Sequence, residues 1–169
     1  VCNHVSFVDA LIIAAACRRP IRFVMDHNIF RVPLLNFVFR TSKTIPIASA
    51  KENPQLLEHA YDEIASALGN GDLVGIFPEG RITDSGEMYP FRSGITRIIE
   101  RTPVSVVPVA LRGLWGSFFS RKDGAAMSRP FRRAPLSKIA LAVGEPVLPG
   151  NVTPEGLRQT VLALRGDWR

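Results

Sequence analysis

Cysteine is scarce in this sequence. Its 169 residues hold two, Cys2 and Cys17, too few for a disulfide framework and outside any C-x-x-C pair, so a reduced, cytosolic setting is the simpler expectation. Long apolar runs are missing too. The longest uncharged ones, Ala10 to Cys17 and Thr102 to Leu111, fall well short of the roughly 18 residues a membrane span needs. Charged residues make up only 21% against 46% hydrophobic, which excludes a disordered chain, and the 13 glycines and 13 prolines follow no repeat. Several catalytic signatures are also absent. There is no G-x-S-x-G elbow and no H-E-x-x-H. Gly69-Asn70-Gly71 follows a helical pattern and lacks the third glycine of a dinucleotide loop. Gly75 to Gly80 has phosphate-loop spacing, but Arg81 and Ile82 stand where Lys and Ser/Thr are required.

What is present points to one domain spanning 1–169. The chain opens on Val1-Cys2, which reads as the end of a strand, and we expect a domain cut from a longer protein without some N-terminal elements. Asp9 to Cys17 reads as a short Ala-rich helix stopped by Arg18, Arg19 and Pro20, and Val32 to Phe39 as an apolar helix opening with Pro33. Asn53-Pro54 caps a helix whose inner positions are Leu57, Tyr61, Ile64 and Leu68, ended by Gly69-Asn70-Gly71. Ser93 to Glu100 can form another, and Thr153-Pro154-Glu155 starts a last one with Leu157, Val161 and Leu164 inward. Strands are expected at Ile21 to Met25, Lys43 to Ile47, Leu73 to Phe77 (buried on both faces), Val104 to Leu111 and Lys138 to Val143. This alternation predicts an α/β fold, a mostly parallel or mixed sheet covered by helices on both faces.

The net charge of +6 is concentrated. Arg112, Arg121, Lys122, Arg129, Arg132, Arg133 and Lys138 face a single acid, Asp123, within 112–138. Trp115, Phe118, Phe119, Met127 and Phe131 are interleaved with them. Such a stretch suits an anionic membrane surface, single-stranded nucleic acid, or a solvated loop whose aromatics pack on the core. A nucleic-acid reading would demand steep salt dependence.

Two constellations could carry chemistry. In Asn3-His4-Val5-Ser6-Phe7-Val8-Asp9 an imidazole and a carboxylate stand five residues apart where a strand passes into a helix. On a regular helix these positions diverge by about 140°, so they meet only if His4 precedes the helix and the chain folds back over its first turn. Asp9 would then fix the imidazole tautomer and leave the other nitrogen to take a proton. Equally, Asn3, Ser6 or Asp9 could simply cap the helix. The second is Gly75-Ile76-Phe77-Pro78-Glu79-Gly80-Arg81, followed by Phe91-Arg92-Ser93-Gly94. A strand delivers Pro-Glu-Gly-Arg to the carboxyl end of the sheet, where Gly80 permits close approach and Arg81, Arg92 and the helix start at Ser93-Gly94 favour a phosphate. Each piece also fits a plain strand-to-loop turn with surface arginines. Of the other histidines, His59 reads as a surface residue and His27, beside Asp26, as structural.

Taken together, N-H-x-x-x-x-D at 3–9, Phe77-Pro78-Glu79-Gly80, and Val107-Pro108-Val109-Ala110 resemble the three blocks of the glycerolipid and lysophospholipid acyltransferase (PlsC-like) superfamily, in order and spacing, from Asn3 to about Pro146. The resemblance implies a glycerol-3-phosphate acyltransferase-like fold and transfer of a fatty acyl group from acyl-CoA or acyl-acyl-carrier-protein to the free hydroxyl of a lysophospholipid. His4 would be the general base and Asp9 would orient it, with no acyl-enzyme, metal or cofactor. Asn3, Ser6, Phe7, Glu79, Gly80, Arg81 and Arg92 would belong to the substrate site. The stretch 112–138 would dock on the membrane, on the cytoplasmic face of the inner membrane, with no role for nucleic acid. Many members carry an arginine in the block that here reads Ser42-Lys43-Thr44-Ile45-Pro46-Ile47-Ala48, and Thr-Arg after F-P-E-G where here Arg81 follows directly. Both departures suit larger headgroups such as lysophosphatidylethanolamine over lysophosphatidic acid. A catalytically idle lipid-binding module of the same fold is the other reading.

Overall fold

The computed structural model describes residues 1–31, 42–122, 124 and 138–168. Its helices are α1 (Asp9–Ala16), α2 (Pro54–Gly69), α3 (Gly94–Arg101) and α4 (Pro154–Arg165); its strands are β1 (Ile21–Asp26), β2 (Ile45–Ile47), β3 (Leu73–Gly75), β4 (Val109–Arg112) and β5 (Ala140–Val143). Local chemistry explains the sharper boundaries. Asn53 accepts from the Leu56 N–H at 2.9 Å ahead of Pro54, and Thr153 accepts from the Gly156 N–H at 3.0 Å ahead of Pro154.

β1 lies between β2 and β3 and is parallel to both, with Val24 opposite Ile45 and Phe23 opposite Gly75. β4 and β5 form an antiparallel pair, Val109 opposite Val143. Val1 and Cys2 join the two sets. The Cys2 N–H donates to the Ile76 carbonyl at 3.2 Å, the Val109 N–H donates to the Val1 carbonyl at 2.8 Å, and Cys2 bridges Val109 in the parallel sense. The segment is therefore an inserted strand between the continuation of β3 and β4. Asn3 extends this seam, because its side-chain amide donates to the Leu111 carbonyl at 3.1 Å and accepts from the Leu111 N–H at 2.8 Å.

Side-chain alternation along the strands divides the core into two layers. Val24 and Ala110 face one cluster with Tyr61 and Ile64 of α2, Ile95 and Ile98 of α3, and Leu157 and Val161 of α4. Phe23 and Leu111, one residue along, face the other with Ala10 and Ile13 of α1, Phe77 and Leu114. Among the described residues three helices cover one face and α1 the other, and no helix is long and apolar enough to cross a membrane.

The mixed α/β sheet is as expected, with shorter strands. Leu73 to Phe77 is a strand only to Gly75, and Leu73 to Gly75 are half-buried, not buried on both faces. Val104 to Leu111 is a regular strand only from Val109, its earlier part touching Val147 through a single bridge at Val106. Pro108, which has no N–H to donate, separates the two parts. The helix expected at Val32 to Phe39 lies outside the described residues, as does most of 112–138.

Asn3→Ala would strand two buried backbone groups of Leu111. We expect a loss of about 2–4 kcal/mol, read as a lowered urea midpoint. A loss under about 0.5 kcal/mol would remove Asn3 from the seam.

Candidate active site

The carboxyl ends of adjacent strands bring the two motifs together. His4 leaves the Val1-Cys2 strand and Glu79 leaves β3, beside one another at the edge where parallel α/β sheets present ligands.

His4 precedes α1, and the chain folds back over the first turn. The His4 Nδ1 lies 2.9 Å from Asp9 Oδ2. Asp9 is fully buried, and its oxygens also accept from the Val5 N–H (2.6 Å), the Ser6 N–H (2.9 Å) and the Ser6 hydroxyl (2.5 Å). With two backbone N–H groups and a hydroxyl already donating to it, Asp9 presents an acceptor to the ring, so the proton of Nδ1 faces it. Nε2 is then the basic nitrogen, and it has no hydrogen-bond partner among the described residues. The imidazole is 22% exposed and stacks on Phe77, centroids 4.2 Å apart and planes 16° from parallel. The ring is thus fixed by a charge on one edge and an apolar shelf on one face.

Glu79 is only 2% exposed and works on backbone. Its Oε1 accepts from the His4 N–H and its Oε2 from the Tyr89 N–H, both at 2.7 Å. The His4 carbonyl in turn accepts from the Thr83 N–H at 3.0 Å. The backbone of His4 is therefore clamped on both sides by the loop that follows β3. Burial pushes the Glu79 carboxyl up to about 7, against the two backbone donors and His4, which pull it down.

Beyond Glu79 the loop alternates buried residues, Ile82, Thr83 and Met88, with the exposed Arg81 and Asp84. Arg81 lies over the Tyr89 ring, 3.8 Å from its centroid, and the Tyr89 hydroxyl donates to Asp84 at 2.5 Å. Gly80 has φ +68°, and a Cβ there would stand 2.5 Å from the Arg92 guanidinium carbon, so the absent side chain is what lets Arg92 lie against this turn. Ser93 makes no side-chain cap at the start of α3.

Of the residues read from the sequence, the structure thus gathers His4, Asp9, Ser6 and Glu79 into one hydrogen-bonded unit and sets Gly80, Arg81 and Arg92 at its rim. Asn3 is turned away to Leu111, and Phe7 is 46% exposed beside the unit. Tyr89, Thr83 and the Phe77 shelf were not singled out as site residues. Tyr89 and Thr83 act through backbone N–H groups, which leave no residue signature, while the aromatic of F-P-E-G could have flagged the shelf. Elsewhere, Asp26, His27 and Glu52 hold ligand-type atoms within 4.8 Å of one another, but both carboxylates are exposed and accept from Asn28. That trio has the form of surface ion pairs and shares no residue with the His4 unit.

The raised Glu79 value has a definite sign. The folded state binds its proton more tightly than the unfolded chain, so this contribution is fully present below about 4.5 and is lost as pH rises through about 7. The whole swing is about 3 kcal/mol. Urea midpoints from pH 5 to 8 should fall more steeply in the parent than in Glu79→Gln, and parallel curves would remove Glu79 as the titrating group.

Comparison with known proteins is consistent with this geometry. The family model described as Acyltransferase matches residues 1–112. The 1-acyl-sn-glycerol-3-phosphate acyltransferase of Borreliella burgdorferi is 27% identical over 116 residues, 64% of this chain and 43% of that protein. The lyso-ornithine lipid O-acyltransferase of Brucella abortus is 26% identical over 139 residues, 78% of this chain and 48% of that protein. The crystal structure of the 1-acyl-sn-glycerophosphate acyltransferase PlsC from Thermotoga maritima superposes with a TM-score of 0.68 at 19% identity, covering 95% of this chain and 61% of that one. The chain spans about a third to a half of the length of the curated relatives it matches. With the family model covering more than half of its residues, and the N-H-x-x-x-x-D and F-P-E-G blocks meeting at one sheet edge, this chain belongs to the acyltransferase family, within the glycerolipid acyltransferase superfamily.

Proposed function

We propose that this domain transfers a fatty acyl group from an acyl thioester, carried on CoA or an acyl carrier protein, to the free hydroxyl of a lysophospholipid. The observation that carries the reading is the 2.9 Å contact between His4 Nδ1 and the carboxylate of Asp9, with Nε2 unpartnered among the described residues. The relatives support the substrate class, since one is named for 1-acyl-sn-glycerol-3-phosphate and another for lyso-ornithine lipid.

The chemistry follows from the two imidazole edges. Nε2 takes the proton of the acceptor hydroxyl as its oxygen attacks the thioester carbonyl. The tetrahedral centre collapses with breakage of the carbon–sulfur bond, and the thiolate leaves with the proton returned by the imidazolium. Asp9 stabilises the imidazolium while it lasts. Phe77 keeps the ring from rotating out of line. Arg81 and Arg92 supply forked donors at the rim for the acceptor's phosphate. Replacement of the usual arginine block by 42–48 favours a larger headgroup, lysophosphatidylethanolamine in particular, and acceptor and product would be met at the cytoplasmic face of a membrane.

Acyl transfer from labelled acyl-CoA and acyl-acyl-carrier-protein to a panel of lysophospholipids tests this. Removal of a general base costs about a hundredfold or more, so His4→Ala should lose at least that much turnover while remaining folded by circular dichroism. Turnover surviving in His4→Ala would overturn the mechanism. Arg81→Gln and Arg92→Gln should instead raise the acceptor KM by about tenfold with kcat nearly kept, as expected for contacts made equally in ground and transition states.

A further inference from the structure

A helix on a protein surface ordinarily turns polar side chains outward, and one that is apolar all round is normally buried. Helix α1 breaks this pattern. Its sequence, Asp9-Ala-Leu-Ile-Ile-Ala-Ala-Ala16, contains one polar residue, and that residue, Asp9, is buried. The outward positions are Leu11, which is 52% exposed, with Ala14 and Ala15 one turn on. Phe7, 46% exposed, stands just before the helix. No polar side chain of α1 faces solvent.

This apolar strip continues into a second element. The Phe7 N–H donates to the Phe119 carbonyl at 3.2 Å, and Ser6 bridges Ser120 in the antiparallel sense. The half-buried pair Phe118 and Phe119, ring centroids 5.2 Å apart, therefore lies beside Phe7. Exposed cations flank the strip at both ends: Arg18 and Arg19 directly after α1, and Arg121 and Lys122 directly after Ser120. Asp84 lies within the field of Arg81 and Arg121, and its carboxylate takes the Tyr89 hydroxyl. An apolar centre rimmed by cations, without an exposed acid on the helix itself, matches the interfacial layer of an anionic bilayer, where apolar side chains enter the acyl boundary and Arg and Lys meet the headgroups.

We propose that α1, joined with the loop at 118–122, is the surface on which this domain rests on an anionic phospholipid bilayer. It places docking on a helix that begins five residues after His4, so the proposed base stands beside the plane in which a lysophospholipid would be presented. The inference rests on the proposed substrate class for its purpose, yet docking is measured without turnover, so each can fail alone.

The test is co-sedimentation of this chain with vesicles of pure phosphatidylcholine and with vesicles one-third phosphatidylglycerol. Binding should be confined to the anionic vesicles and weaken with salt. Leu11→Glu should weaken it by about tenfold or more, the scale of one exposed leucine entering an apolar layer. Arg18→Gln and Lys122→Gln should each weaken it about fivefold. Ala15→Glu, on the same face, serves if Leu11→Glu loses its fold by circular dichroism. Equal binding to both vesicle types, or parent-like binding by the glutamate variants, overturns the proposal. So does a dimer in size-exclusion chromatography that Leu11→Glu dissolves, since a second copy would then cover the strip. Vesicle binding without any acyl transfer keeps this surface and removes the proposed reaction; transfer without Leu11-dependent binding does the reverse.

Discussion

A carboxylate without solvent is tolerable only where donors surround it, and Asp9 gathers four of them from His4, Val5 and Ser6. Those bonds dictate the path of the chain as it leaves the first strand. Two backbone N–H groups and a hydroxyl pull residues 5 and 6 over the start of α1, and the turn so formed delivers the His4 ring to the remaining lone pair. The interaction orients the imidazole without capping the helix, because its N–H donors lie upstream of α1 and Val8 at the N-cap makes no side-chain cap bond. Of the two readings open from sequence, plain capping is not what the structure has: Asp9 is the first residue of the helix and satisfies donors just upstream, and Asn3 bonds Leu111.

Glu79 supplies a second buried carboxylate with a different task. It holds the backbone of His4 where Asp9 holds its side chain, and it ties that backbone to Tyr89. Since Arg81 stacks on Tyr89, the basic rim and the imidazole are linked through one carboxylate across three loop segments. The cost is electrostatic: two buried acids lie around one histidine, and burial lifts the Glu79 carboxyl to about 7. Stability is spent on position here, as is common where a site must be rigid before a ligand arrives.

How much of this was legible depended on whether residue identity carried the information. Asn53-Pro54 and Thr153-Pro154 announced α2 and α4 because capping is a side-chain property. The spacing of His4 and Asp9 required a fold-back, since a continuous helix would have separated them. Strand ends were read too long at Leu73 to Phe77 and Val104 to Leu111, because apolar runs persist past the last ladder bond into loops that still pack on the core. The Glu79 clamp was not legible as such: its partners are N–H groups, which every residue but proline possesses. Nor could Asn3 be assigned to the seam, because its partner Leu111 lies 108 residues away and is bonded through backbone alone.

The insertion of Val1-Cys2 between β3 and β4 also shapes how the molecule comes together. Sheet neighbours β2, β1 and β3 are all drawn from the first 75 residues and need only modest loops to close. The central slot needs partners at Val107, Val109 and Leu111, so residues 1–3 must wait for a segment 106 to 108 positions further along. Closing so long a loop carries a larger entropic cost than local pairing and slows the step that depends on it. His4 sits directly at the end of that slot. A chain can therefore hold a formed half-sheet while the His4 imidazole is still unplaced, and the candidate site is assembled only when β4 docks on the slot.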